Sequence, residues 1–180
     1  MTLRNALIAT AALATLAAAS AAHANTVTAR MQLATPDGPG AEIGTVTITD
    51  ASDGARISVD LHGLPPGQHG FHVHQHPSCA PGPVNGAIAP AGGAGGHFDP
   101  DRYLNHAGPY GAGHLGDLPF LTVAADGADR ESLLAPRISD VRLLRGHTLI
   151  IHAGGDNYSD SPKPLGGGGA RIACGLMASR

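Results

Sequence analysis

Apolar and polar residues alternate through much of this chain with a period of two, the pattern of half-buried β-strands. Residues 25–35, Asn-Thr-Val-Thr-Ala-Arg-Met-Gln-Leu-Ala-Thr, set the pattern, and Pro36-Asp37-Gly38-Pro39-Gly40 ends it as a turn. A second strand is predicted over residues 44–49. A third follows Asp53-Gly54 over residues 55–61, where Ala55, Ile57, Val59 and Leu61 alternate with polar side chains. Pro65-Pro66-Gly67 breaks the chain before a strand over His69–Gln75. Strands resume at residues 119–124 and 130–134, with Asp126-Gly127 between them as a hairpin turn. Residues 139–144 read as a short helical turn, 147–152 as a largely apolar buried strand, and 170–177 as the last strand. Two stretches, roughly 76–118 and 153–169, show neither period and are dense in Gly and Pro. Short strands punctuated by Gly and Pro predict an all-β sandwich or barrel in one domain. An aperiodic loop as long as 76–118 needs something other than secondary structure to hold it, and a bound metal and a disulfide would do so.

The N-terminus does not follow the strand pattern. Arg4 precedes an apolar, Ala-rich run over residues 6–19, too short to span a bilayer, and Ala22-His23-Ala24 fits a small-residue cleavage site. The expectation is a signal peptide over 1–24 and a mature domain over 25–180, periplasmic or secreted. No Cys follows the apolar run, so no lipid anchor or other membrane attachment is expected after cleavage. Eleven basic against fourteen acidic residues give a net charge of −3 and no reason to expect nucleic-acid binding. Cys79 and Cys174 are the only cysteines, and in an exported chain the pair suggests one disulfide.

Eleven histidines beside three Tyr, three Phe and no Trp turn attention to metals. On a strand, His72 and His74 of Gly70-Phe71-His72-Val73-His74 share a face, roughly 6.5–7 Å apart along the backbone. With His152 they lie in apolar strands, where an unpaired imidazole is costly to bury. His97, His106 and His114 follow at intervals of nine and eight in the first aperiodic stretch, and Asp117 comes three residues later. Three imidazoles and a carboxylate suit tetrahedral Zn²⁺, while an all-imidazole set suits Cu(II) and Zn(II) alike. Spacing alone supports one or two metal sites and does not name the metals.

The motifs Gly-Phe-His-Val-His, Gly-Gly-His-Phe-Asp-Pro, His-Ala-Gly-Pro, Gly-His-Leu-Gly-Asp-Leu-Pro, Gly-Gly-Asp-Asn-Tyr-Ser-Asp and Gly-Gly-Gly-Gly-Ala-Arg-Ile-Ala-Cys-Gly resemble those of the copper/zinc superoxide dismutases of bacterial secreted type, over about residues 27–177. The resemblance implies an eight-stranded antiparallel Greek-key β-barrel or sandwich with two long loops forming the metal site. It implies one copper and one zinc ion per subunit, and dismutation of superoxide to O₂ and H₂O₂ by a copper redox cycle. Carried over by position, copper falls to His72, His74, His97 and His152, and zinc to His97, His106, His114 and Asp117, with His97 shared as a bridging imidazolate. Asp156 matches a carboxylate that orients ligand histidines, most simply His72 and His106. Arg171 matches an arginine beside the open copper position, and Cys79 and Cys174 match the family disulfide. A homodimer is compatible with the resemblance.

His62, His69, His76 and His147 fall outside those positions and read as solvent-facing or locally hydrogen-bonded rings, with His76 placed for an incidental metal contact. Asp160 reads as a loop cap and Lys163 as a solvated lysine able to assist steering. A non-catalytic metal buffer and a zinc-only structural domain are the rival readings. Arg171 and the complete His72, His74 and His152 set argue against both.

Overall fold

The computed structural model describes residues 24–178; the expected signal segment, up to residue 23, lies outside them. Strands follow in chain order as β1 (Thr26–Thr35), β2 (Gly38–Ala51), β3 (Gly54–Leu61), β4 (Gly67–His69), β5 (Phe71–His74), β6 (Gly82–Val84), β7 (Ala87–Ala89), β8 (Leu121–Val123), β9 (Ser132–Ala135), β10 (Thr148–His152) and β11 (Arg171–Leu176). A seven-stranded antiparallel sheet runs β5-β10-β11-β1-β2-β3-β9, with β4-β8 and β6-β7 as separate pairs. Gly70 alone separates β4 from β5. Taken as one bent strand, they bring the barrel to the eight strands expected, with β6 and β7 as an added hairpin.

The alternation seen in the sequence is the inside and outside of this curled sheet. Along β3, Ala55, Ile57, Val59 and Leu61 are buried while the residues between them face out. Across the ladder, Ala29 sits opposite Val46 and Val27 opposite Ile48, so successive inward residues stack into one core. Phe71, Val73, Leu149 and Ile151 complete it from the far side. Each fully buried large apolar side chain contributes roughly 1.5–3 kcal/mol.

The opposite face of β5-β10-β11 is buried as well. His74 lies opposite Thr148, His72 opposite Ile150, and Ile150 opposite Cys174, so these side chains share the outer face. There they are covered by the first long loop. The Cys79–Cys174 disulfide bolts that loop to β11, and Ala91, Ala94 and Ile150 form a small second core around it. A strand whose two faces are both covered loses its alternation, which is why residues 147–152 read as continuously apolar.

Three expectations are corrected. The Asp126-Gly127 turn forms, with Gly127 at φ +77 and its N–H donating to Ala124, but it does not join a paired hairpin. Its flanking strands pair elsewhere, β8 with β4 and β9 with β3. The first turn is shorter than Pro36–Gly40, because β2 already starts at Gly38 and pairs there with Thr35. The stretch 76–118 is not without secondary structure: Asn85 (φ +50) and Gly86 (φ +83) turn the β6-β7 hairpin. The helical turn expected over 139–144 is a short 3₁₀ segment, Val141–Leu144, capped by the Asp140 carboxylate.

Candidate metal centre

His72 and His74 project from β5 with ring centroids 6.3 Å apart. His152 ends the adjacent β10. The backbone of the first long loop is stitched onto β5: Gln75 donates to Gly96, Phe98 to Val73, and Val73 to Gly116, each at 2.8–3.0 Å. This ladder sets His97 opposite His74 and Asp117 opposite His72. A Cβ on Gly116 would collide with the Val73 carbonyl, so the close approach requires glycine there.

The nitrogens of His72, His74, His97 and His152 lie within 4.8 Å of one another, and all four residues are buried. Their outer partners fix which nitrogen faces inward. His74 donates Nδ1–H to the Gly95 carbonyl at 2.9 Å, and His152 donates Nδ1–H to the Gly169 carbonyl at 3.1 Å. A carbonyl only accepts, so both Nε2 atoms carry lone pairs, and they face each other at 3.4 Å. His72 gives Nε2–H to Asp156 at 2.8 Å, leaving its buried Nδ1 without a partner. Burial keeps these rings neutral: it lowers His72 and His74 well below the ordinary range and His152 to about 4. Buried lone pairs turned on one point are an arrangement that a soft cation satisfies and that protein groups here do not.

A second group adjoins the first through His97. The Asp117 carboxylate gathers Nδ1 of His97 at 2.8 Å, of His106 at 3.0 Å and of His114 at 3.4 Å. Nδ1 of His106 and of His114 are both buried without a hydrogen bond. Burial works against a charge on Asp117, yet the imidazoles around it hold its pKa far below the usual carboxylate range. His106 is likewise opposed by burial and is held up to about 9 by Asp117 and Asp156 on either side. Proximity alone also groups His72 with His97, His106 and Asp117, in place of His114. Ring direction separates the two candidates, since His114 turns its unpartnered Nδ1 to the carboxylate as His97 and His106 do.

Asp156 ties the two groups together. Its carboxylate accepts from His72 at 2.8 Å, from His106 Nε2 at 2.7 Å and from the Tyr158 main chain at 2.7 Å. Asp160 accepts from the main chain of His106 and of Leu165, joining the first long loop to the second. Arg171, half-buried, lies opposite His152 in the ladder, and its guanidinium donates to the Ala91 carbonyl at 2.7 Å and the Gly95 carbonyl at 2.6 Å. Arg171, His74, His97 and His152 face a pocket of about 400 Å³ walled by the β6-β7 hairpin and by Pro164 and Leu165.

The remaining histidines differ among themselves. His62 and His76 are exposed and outside both groups, and His147 donates toward the Gln75 carbonyl and packs on Phe98. His69 is not solvent-facing; it makes the local hydrogen bond of the alternative expectation and adds one to a distant strand. It is 3% exposed, with one ring nitrogen 2.8 Å from the Pro65 carbonyl and the other 2.7 Å from that of His152. Sequence reasoning also missed Gly166, where a Cβ would overlap Asp156 and crowd His106. One of four consecutive glycines carries no local sign of that contact.

Residues 42–177 match the family described as copper/zinc superoxide dismutase. The Cu-Zn superoxide dismutase of Brucella abortus is 51% identical over 156 residues, covering 87% of this chain and 90% of the relative. That of Escherichia coli K12 is 48% identical over 166 residues, covering 92% and 96%. The solved Brucella abortus enzyme superposes with a TM-score of 0.83 over 85% of this chain and 99% of its own. The monomeric Salmonella enterica enzyme does so with a TM-score of 0.74 at 47% identity, again over 85% and 99%. Barrel, paired histidine groups and sequence agree: the chain belongs to the copper/zinc superoxide dismutase family.

Proposed function

We propose that copper is held by His72 Nδ1, His74 Nε2, His152 Nε2 and the outward nitrogen of His97, and zinc by Nδ1 of His97, His106 and His114 with the Asp117 carboxylate. The protein is a superoxide dismutase, converting two superoxide anions and two protons to O₂ and H₂O₂. The observation that carries the ligand assignment is the pair of His74 and His152 lone pairs, 3.4 Å apart beside a carboxylate that collects three further imidazole nitrogens. Bound copper supplies the one-electron chemistry, and zinc, which has no redox role, supplies charge and order to the 97–117 loop.

The chain's own groups do the rest. Arg171 keeps a permanent positive charge at the pocket, where it draws in and orients a small anion. His97 has one nitrogen in each group, so its copper-facing nitrogen is the atom able to hold a proton when that side is released. Asp156 fixes the tilt of His72 and His106 at once and makes both more basic donors. The mature chain is residues 25–180, exported to the periplasm or beyond. The disulfide supports this, since such bridges persist in oxidising compartments. A mature protein beginning at Asn25 by mass spectrometry is the expected result.

His74→Ala is expected to reduce dismutation to background while the circular dichroism of the metal-free protein is unchanged. Full activity with copper bound would defeat the copper assignment. Reconstitution with both metals and assay against superoxide separates an enzyme from a metal buffer.

A further inference from the structure

Arg137 follows β9, outside both proposed ligand sets, and its guanidinium is turned into the 97–117 loop. One terminal nitrogen donates to the Gly113 carbonyl at 2.6 Å and the other to the His114 carbonyl at 3.0 Å. The Tyr103 ring packs over the guanidinium with its centroid 5.7 Å away. Three points of one loop are thereby fastened to the barrel by one side chain.

His114 has particular need of such a fastening. His72 and His106 are oriented by Asp156, His74 by the Gly95 carbonyl and His152 by the Gly169 carbonyl. A histidine that ligates a metal ordinarily gives its other ring N–H to such a partner, which fixes the ring. The His114 ring has none among the described residues, and its Nδ1 stands unpartnered. What holds it is the main chain: its N–H donates to Asn105, and its carbonyl accepts from Asp117 and from Arg137. We infer that Arg137 is a positioning residue that aims His114 at zinc through the backbone, a role that rests on the assignment of His114 to zinc.

Charge and geometry make opposite predictions here. A guanidinium near a dication disfavours it, so by charge alone Arg137→Ala should tighten zinc binding. As a clamp, its loss should weaken it. The test is a zinc titration of the metal-free, mature protein against a chromophoric chelator, with Co²⁺ added in parallel and its visible absorption recorded. Arg137→Ala is expected to weaken zinc by about 10–100-fold, the usual cost of losing an outer partner, and to alter the Co²⁺ bands. Arg137→Lys keeps the charge and only part of the clamp, and should lose less. Val59→Ala, a destabilising change in the core on β3, controls for stability and should leave the zinc constant within about twofold. Unchanged or tighter zinc binding in Arg137→Ala overturns the inference, as does an equal loss in Val59→Ala. His114→Ala separates the two claims. If it leaves zinc binding intact, the ligand assignment itself fails. If it weakens zinc while Arg137→Ala does not, only the clamp fails.

Discussion

Two single residues show how narrowly the barrel and its site are tuned. Asp129 is 3% exposed, its main chain pairs with Leu61, and its Oδ2 has no partner. Burial and the neighbouring Glu131 on the same segment push its carboxyl up to about 7, against the smaller opposing pull of His69 from β4. An unfolded aspartate titrates near 3.8, so between that pH and about 7 the unfolded chain releases a proton that the folded chain keeps. Stability contributed by this group therefore falls as pH rises through that window and levels off above it, by an amount on the order of 2–4 kcal/mol. Asp129→Asn should raise the urea midpoint of the metal-free protein at pH 8 and leave it nearly unchanged at pH 4. Equal gains at both pH values would show that the charge is not the cause. Gly166 is the second case, at φ +69 with no room for a Cβ beside Asp156 and His106. Gly166→Ala should cost about 1–2 kcal/mol in backbone strain alone. It should also weaken zinc, read by chelator competition, because Asp156 must move away from His106.

At the scale of elements, the site is a property of two aperiodic loops laid on one barrel face. The segment from His76 to Gly96 is held by the Cys79–Cys174 disulfide, by Thr148 donating to the His76 carbonyl at 2.6 Å, and by Arg171 on Ala91 and Gly95. That disulfide spans 95 positions, worth roughly 4–5 kcal/mol by loop entropy. The Cys79→Ala/Cys174→Ala double variant should lose about 3–5 kcal/mol in metal-free urea unfolding. It should also bind copper more weakly, because the Gly95 carbonyl that orients His74 belongs to the released segment. Copper affinity equal to the parent's would mean that Arg171 and Thr148 hold the segment unaided. The same loops mark what the amino-acid pattern reveals and what it hides. Strands β1 and β3 were legible because burial on one face leaves a period of two in the residues themselves, and β10 because burial on both faces leaves a short apolar run. The clustered histidines and Asp117, proposed here as ligands, stood out in the sequence because few chemistries concentrate imidazole in apolar surroundings. The grips of Arg137, Gly166 and His69 were not, because each acts on a main-chain carbonyl or an empty Cβ position supplied by a distant segment. Strand partners were hidden for a related reason: Asp126-Gly127 dictates a local reversal, but β3 and β4 decide where β8 and β9 pair.

For the whole molecule, the question is how a chain of net charge −3 collects an anion. A net negative charge repels superoxide at long range, so a local positive field at the pocket would favour productive encounters. We assign that field to Arg171, which also grips the Ala91 and Gly95 carbonyls. These two roles separate by substitution. Arg171→Lys keeps a charge at the pocket and gives up the paired grip, so its second-order rate with superoxide should fall modestly and still decline with added salt. Arg171→Ala gives up both, and should fall by about 10–100-fold with a nearly flat salt response. Rates are to be measured by pulse radiolysis from about 0.01 to 0.15 M ionic strength, a range over which the screening length shortens from about 30 to 8 Å. If Arg171→Ala retained the parent's salt slope, the attracting field would have to come from elsewhere on the rim, with Lys163 on the second loop the next cation to replace.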